Sequence, residues 1–191
     1  VGNVSLSAQK NDLEMQSKAA SYQLEIFFQE YMTIVEQMAL DKDVWTLLTE
    51  TKAGDKITES ADYQTVFHEM EKIAAADSDN IQAVWLGDID ANVVTQSDGF
   101  TSDSSFEITE RTWYRAVETN STILTSAYVD ASTGNLILSA ATPVYDENGK
   151  NIIGVAGADI ALEHIDELLS AYKIGNNGFV ILVTSDGTII Y

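Results

Sequence analysis

The stretch that decides the fold runs Leu136-Ile137-Leu138-Ser139-Ala140-Ala141-Thr142-Pro143-Val144-Tyr145, turns through Glu147-Asn148-Gly149, and resumes as Ile152-Ile153-Gly154-Val155-Ala156-Gly157-Ala158-Asp159-Ile160. Two runs of β-branched and small apolar residues flank an Asn-Gly turn, which is hairpin chemistry. A third run, Ile123 to Val129, precedes them across Thr133-Gly134-Asn135. The three in succession predict an antiparallel meander.

Upstream the texture changes. Ile81 to Leu86 and Asn92 to Gln96 read as two more strands, with Asp98-Gly99 as a turn after them. A short helix is expected near 110–118, between these strands and the meander. Residues 60–76 form an amphipathic helical pattern with Val66, Phe67, Met70 and Ile73 on one face, and a short helix is expected around Val44 to Leu48. Residues 4–40 contain neither Gly nor Pro and predict one long helix. Its seam is Ala20, Leu24, Phe27, Tyr31, Ile34 and Met38, and it runs back through Leu13 and Leu6 with Lys10 and Ser17 interrupting. At 1.5 Å per residue such a helix spans roughly 55 Å, longer than a small domain is wide. Downstream, a helix near 162–172 and a strand at Phe179 to Thr184 are expected, with Asp186-Gly187 turning a terminal hairpin. The order of elements predicts an α+β domain: a long N-terminal helix packed on an antiparallel sheet of about five strands.

Composition narrows the function. The chain has 191 residues, 10 basic against 30 acidic, for a formal charge of −20. Such a surface repels phosphate backbones and anionic lipid, so nucleic acid is not an expected partner. With no cysteine there is no disulfide or thiolate chemistry. No stretch reaches the ~18 apolar residues of a membrane span. The chain begins inside a polar helical pattern and stops at Tyr191 inside a strand-like run, so a piece of a longer protein is expected.

Catalytic signatures are missing: no G-x-S-x-G elbow, no phosphate-binding glycine loop, no H-E-x-x-H. His68 and His164 read as ordinary surface or packing residues. Asp88, Asp90 and Asn92 begin like a calcium loop, but Val93 and Gly99 stand where glycine and the bidentate glutamate are needed, so a turn is expected and no metal or cofactor. A different cluster carries the functional reading. Arg111-Thr112-Trp113-Tyr114 brings a guanidinium, an indole and a phenol within four residues. Arginine is shaped to hold a carboxylate through two parallel hydrogen bonds. The plain alternative is a helix-start arginine paired with a surface acid, above two core aromatics. Tyr128 and Asp130 fall on one side of a strand, or Asp130 simply begins the turn toward Gly134. Asp159 interrupts an apolar strand, where a carboxylate is costly unless satisfied, or it caps the following helix. An arginine, an acid and aromatics on one pocket would match a zwitterion.

These segments, with Lys173-Ile174-Gly175 and Gly178-Phe179-Val180 beyond them, resemble a double Cache domain, the PAS-like extracytoplasmic sensor of bacterial chemoreceptors, sensor histidine kinases and some diguanylate cyclases. The resemblance covers essentially the whole chain. It implies a long helix over 1–42, a membrane-distal ligand-binding module over 43–170, and the start of a truncated membrane-proximal module over 171–191. In the amino-acid-binding subfamily the pattern maps onto Arg111, Trp113 and Tyr114 for the carboxylate, and onto Tyr128, Asp130 and Asp159 for the ammonium. The family often has tyrosine five residues before the arginine; Phe106 stands there and lacks the hydroxyl.

The expectation is therefore a non-enzymatic sensor for a small amino acid, in a membrane-anchored, homodimeric receptor whose sensing domain faces the extracellular space or periplasm. The chain by itself is expected to be a monomer or weak dimer. The alternatives are a sensor for an amine or other small metabolite, and a dimerising or adhesive ectodomain without ligand. A hydrolase is disfavoured by the lack of a nucleophile–base pair.

Overall fold

The computed structural model describes residues 2–103, 105–130, 132–162, 165, 181–183, 187 and 189, with the side chains of residues 2–5 left aside. The expected helix at 162–172, the strand at 179–184, the Lys173–Gly178 segment, His164 and the second module at 171–191 fall largely or wholly outside them. Val183 and Ile189 pair in an isolated antiparallel bridge, flanking Gly187 at φ +87°.

The first helix, α1 (Gly2–Leu40), is unbroken. Its buried stripe is Ala20, Leu24, Phe28, Tyr31, Val35 and Met38. Phe28 and Val35 take the places expected for Phe27 and Ile34, which are only partly buried beside them. Both candidates at each step are apolar, so the helix's rotation on the sheet, not its pattern, selects between them. Leu6 and Leu13, nearer its start, are exposed. Asp41 separates α1 from α2 (Lys42–Glu50): its backbone is extended and its carboxylate accepts from Asp43 N at 2.7 Å, capping α2. A 3-10 turn at Ile57–Glu59 leads into α3 (Tyr63–Ala76), which begins three residues later than the pattern suggested.

One antiparallel sheet follows: β1 (Ile81–Asp88), β2 (Val93–Gln96), β3 (Ile123–Leu124), β4 (Tyr128–Val129), β5 (Leu136–Tyr145) and β6 (Ile152–Ala161), in the order β2-β1-β6-β5-β3, with β4 also on β5. The count is six rather than five because the run 123–129 is two pieces. Ile123 and Leu124 face Ala141 and Ala140, whereas Tyr128 and Val129 face Ile137 and Leu136, a slip of one residue. Thr125 makes the break. Its Oγ1 accepts from Ser139 N at 2.9 Å while its own N–H donates to Ser139 O at 2.9 Å, so a hydroxyl stands in the ladder where a carbonyl would be.

Both faces of the sheet are covered, which is why β1, β5 and β6 read as nearly continuous apolar runs. Alternation divides them. Val84, Leu86, Leu138, Ala140, Val144, Ala156, Ala158 and Ile160 meet α1, α2 and α3 in the main core. Trp85, Ala141 and Val155 point the other way, into a smaller cluster with Val94, Ile108, Trp113 and Ala116. That second layer is made by the β2–β3 connection. The helix expected at 110–118 is broken there into 3-10 turns at Ile108–Glu110 and Thr112–Tyr114 and a short α4 (Arg115–Thr119).

Candidate functional site

The second layer does not close completely over the sheet. It leaves a cavity of ≈ 130 Å³ lined by Trp85, Val94 and Gln96 from β1 and β2, by Phe100, Phe106, Arg111 and Trp113 from the connection, and by Tyr128, Asp130 and Asp159. Six of the seven residues singled out in the sequence thus meet at one cavity. Tyr114 does not line it; it is half-buried in the aromatic cluster behind the wall.

Asp159 lies in mid-strand, opposite Ala83 on β1 and Ser139 on β5, so it caps no helix. It is 2% exposed. Trp85 Nε1 donates to its Oδ1 at 2.7 Å and Ser139 Oγ donates to the same oxygen at 2.6 Å. Ser139 has one proton, already given, so Tyr128 donates its hydroxyl to Ser139 Oγ at 2.7 Å. Burial pushes the Asp159 carboxyl up to about 7, against these donors and with the nearby Asp130 charge in the same direction. Trp85 reaches Asp159 only because Gly157 lies beneath it: a Cβ there would sit 2.1 Å from the indole.

Tyr128 faces the cavity because of the slip at Thr125. A straight continuation of β3 would have set it opposite Leu136, on the helix side. Burial and the Asp159 charge raise its phenol. Asp130 both begins a turn and lines the cavity. Gly134 N donates to its carbonyl at 2.9 Å, while Ser132 and Thr133 hydroxyls donate to Oδ2 at 2.6 Å each. Desolvation works to raise its carboxyl, but these donors and the Ser132 and Thr133 amides prevail and hold it below the usual range.

Arg111 is extended (φ −84°, ψ 142°) between the two 3-10 turns rather than at a helix start. Its guanidinium carbon stands 3.7 Å from the centroid of the Phe106 ring, a cation–π seat. Its Nε is buried and has no hydrogen-bond partner. Trp113 packs on Trp85 at 4.6 Å between centroids. The cavity therefore carries a cation with unspent donors and three acids, Glu110, Asp130 and Asp159, within one small aromatic-walled space. Among the described residues no group of acids and histidines is arranged to hold a metal, and His68 is a surface residue paired with Glu71 at 2.8 Å. Asp88, Asp90 and Asn92 form a turn: Asp88 Oδ1 accepts from Ala91 N at 2.9 Å, and Asn92 Oδ1 accepts from Ile108 N at 3.1 Å, tying the connection to the sheet.

Trp85, Gln96 and Ser139 were not legible as site residues. Their place depends on strand register: Trp85 pairs with Gly157 and Gln96, and Ser139 with Asp159. The one available signal was a tryptophan in a strand parallel in character to a Gly-x-Asp strand.

A family model for the Cache domain matches residues 3–191. The chain is 32% identical over 114 residues to the methyl-accepting chemotaxis protein PscA of Pseudomonas syringae pv. tomato, covering 59% of this chain and 18% of PscA. It is 23% identical over 184 residues to McpC of Bacillus subtilis, covering 95% of this chain and 26% of McpC. The chain thus spans about a quarter or less of the length of these relatives. Among solved structures, the ligand-binding domain of the Pseudomonas fluorescens chemoreceptor CtaA with L-isoleucine superposes with a TM-score of 0.72 at 24% identity, covering 98% of this chain and 70% of that one. The same domain has been solved with L-serine and with L-alanine.

Proposed function

Because this chain belongs to the Cache domain family, a ligand-binding sensor fold and not an enzyme, we propose that it is the extracytoplasmic sensing domain of a bacterial transmembrane chemoreceptor and that its cavity binds a small amino acid. The observation that carries the reading is Arg111: a guanidinium with a buried, unpartnered Nε, in the same cavity as the buried Asp159. Arg111, seated on Phe106, takes the α-carboxylate; the Asp159 and Asp130 carboxylates take the α-ammonium; Trp85 and Trp113 exclude water. Tyr128 leans on Ser139 and orients the Asp159 end. At ≈ 130 Å³ the space falls well short of the ~300 Å³ and more of drug-sized sites, which favours a ligand of few heavy atoms.

Signalling follows from differential affinity. The sheet that floors the cavity packs through β5 and β6 on α1, so a ligand that favours one arrangement of the second layer biases how α1 lies against a second copy in a membrane-anchored dimer. Residues 171–191 are read as the opening of a second, membrane-proximal module. No helix among the described residues is long and apolar enough to cross a membrane.

Calorimetry on Arg111→Ala tests the site. The side chain makes no ion pair among the described residues, so the fold and its melting midpoint should be kept while affinity falls about a hundredfold or more. Binding within threefold of wild type would make the arginine structural and the ligand an amine or neutral molecule. An absence of any midpoint shift across an amino-acid screen would leave the dimerising-ectodomain reading.

A further inference from the structure

Gln96 poses a question that the zwitterion model does not answer. It ends β2, is 6% exposed, and lines the cavity beside Val94 and Phe100. Its backbone is fully used: its N–H donates to Phe100 O at 2.9 Å and its carbonyl accepts from Gly99 N at 3.1 Å. Its side-chain amide is not. Oε1 is buried without a partner, and the amide makes no hydrogen bond to any described residue. Burying an amide oxygen without a partner costs as much as a lost hydrogen bond or more, and an apolar side chain would have filled the same wall without that cost.

The position of the amide says what it is for. Across the sheet, β1 lies between β2 and β6, so Gln96 and Asp159 are on strands about 10 Å apart. Asp159 lies on β6, and Tyr128 and Asp130 lie on and just after β4, whereas Gln96 lies on β2, on the other side of β1; Arg111 and Trp113 come from the connection that covers the sheet. A small amino acid whose ammonium meets Asp159 and whose carboxylate meets Arg111 has only its side chain left to direct toward β2. There it meets Val94 and Phe100 as apolar walls and one carboxamide, which can donate and accept at once.

We infer that Gln96 is the specificity-determining residue of this cavity and selects amino acids whose short side chain carries a hydroxyl or carboxamide over their aliphatic isosteres. The inference rests on the amino-acid reading above. A site built to hydrogen-bond a ligand group discriminates strongly against the analogue lacking it, because the buried protein partner is then left unpaired.

Calorimetry with two near-isosteric pairs, threonine against valine and asparagine against leucine, tests it on the wild-type protein without any variant. The polar member of a pair should bind at least tenfold more tightly. Gln96→Met, unbranched and of similar length, should cut that preference to within threefold by weakening the polar ligand and tightening the aliphatic one, while Arg111→Ala weakens both members alike. Equal wild-type affinity within each pair, or an unchanged preference in Gln96→Met, overturns the role of Gln96 while leaving the amino-acid reading intact. If none of the four binds, and a screen of the remaining amino acids also fails, the amino-acid reading falls and this inference with it.

Discussion

Asp159 is a carboxylate placed where a folded protein ordinarily avoids one. It survives because Trp85 and Ser139 donate to it, yet burial still lifts its carboxyl to about 7. The native state therefore holds a proton that the unfolded chain, with aspartate titrating near about 3.9, has lost. The group costs apo stability as pH rises from about 4 to about 7, and Asp88, buried at the end of β1 and lifted to about 6, adds to the same trend. Ligand affinity has the opposite sign. An ammonium needs the ionised carboxylate, so binding must expel the proton below pH 7. Affinity should fall as pH drops from 7.5 to 5.5, approaching tenfold per unit, and level off above 7. Asp159→Asn keeps an oxygen for both donors and should retain or raise the apo melting midpoint at pH 8, lose about a hundredfold in affinity, and flatten the pH profile of what remains. A dissociation constant unchanged in wild type between pH 5.5 and 7.5 would show that no ammonium pairs with this acid.

At the scale of elements, the decisive feature is the slip between β3 and β4. A one-residue shift turns every later side chain to the other face, and it is what aims Tyr128 at the cavity. Thr125→Val, isosteric but without the hydroxyl, leaves Ser139 N–H buried and unpaired. It should destabilise the domain by about 1–3 kcal/mol. It should also weaken ligand binding by more than Ser126→Ala in the same break does, because β4 loses the acceptor that bends it; denaturant melts and calorimetry on the two variants check both parts. The slip also marks how far the sequence could be read. Period and turn residues sufficed for α1, α3, β1, β5 and β6, whose long patterns repeat many times. They did not suffice for 123–129, where every residue suits a strand and only the tertiary ladder shows that Thr125 intrudes. Arg111 and Asp159 stood out as charges out of place. Gln96, Ser139 and Trp85 are ordinary strand residues until register brings them together, and register is fixed by the packing of both faces at once. Tyr114 stands apart from the other six: adjacent to Trp113 in the chain, it does not line the cavity, because the 3-10 turn separates neighbouring side chains by about 120°.

For the whole molecule the question is how a domain with a net charge of −20 meets a second copy. The first half of α1 carries the surface that such a meeting would use, with Leu6, Leu13 and Met15 exposed, but Lys10 interrupts the Leu6–Leu13 seam and pairs with Glu14 at 3.8 Å on the helix surface. An interrupted seam with few apolar rungs gives little to set against the repulsion of two strongly acidic bodies. Salt changes only one side of that balance. Raising it from about 0.1 M to 1 M shortens the screening length from about 10 Å to about 3 Å and relieves the repulsion without touching apolar contact. Sedimentation of this chain should show a monomer at micromolar concentration in 50 mM salt and a growing dimer fraction in 0.5 M salt. Leu6→Ser with Leu13→Ser should abolish that fraction while the melting midpoint stays put, since burial in the core begins only at Ala20. A tight tetramer, or a dimer that salt weakens, would mean that specific ion pairs hold the copies together. A weak intrinsic dimer is also what a signalling helix needs. In the membrane-anchored dimer proposed above, two copies would see each other at millimolar effective concentration, so the pair would persist while its two helix arrangements stay close enough in energy for one small ligand to choose between them.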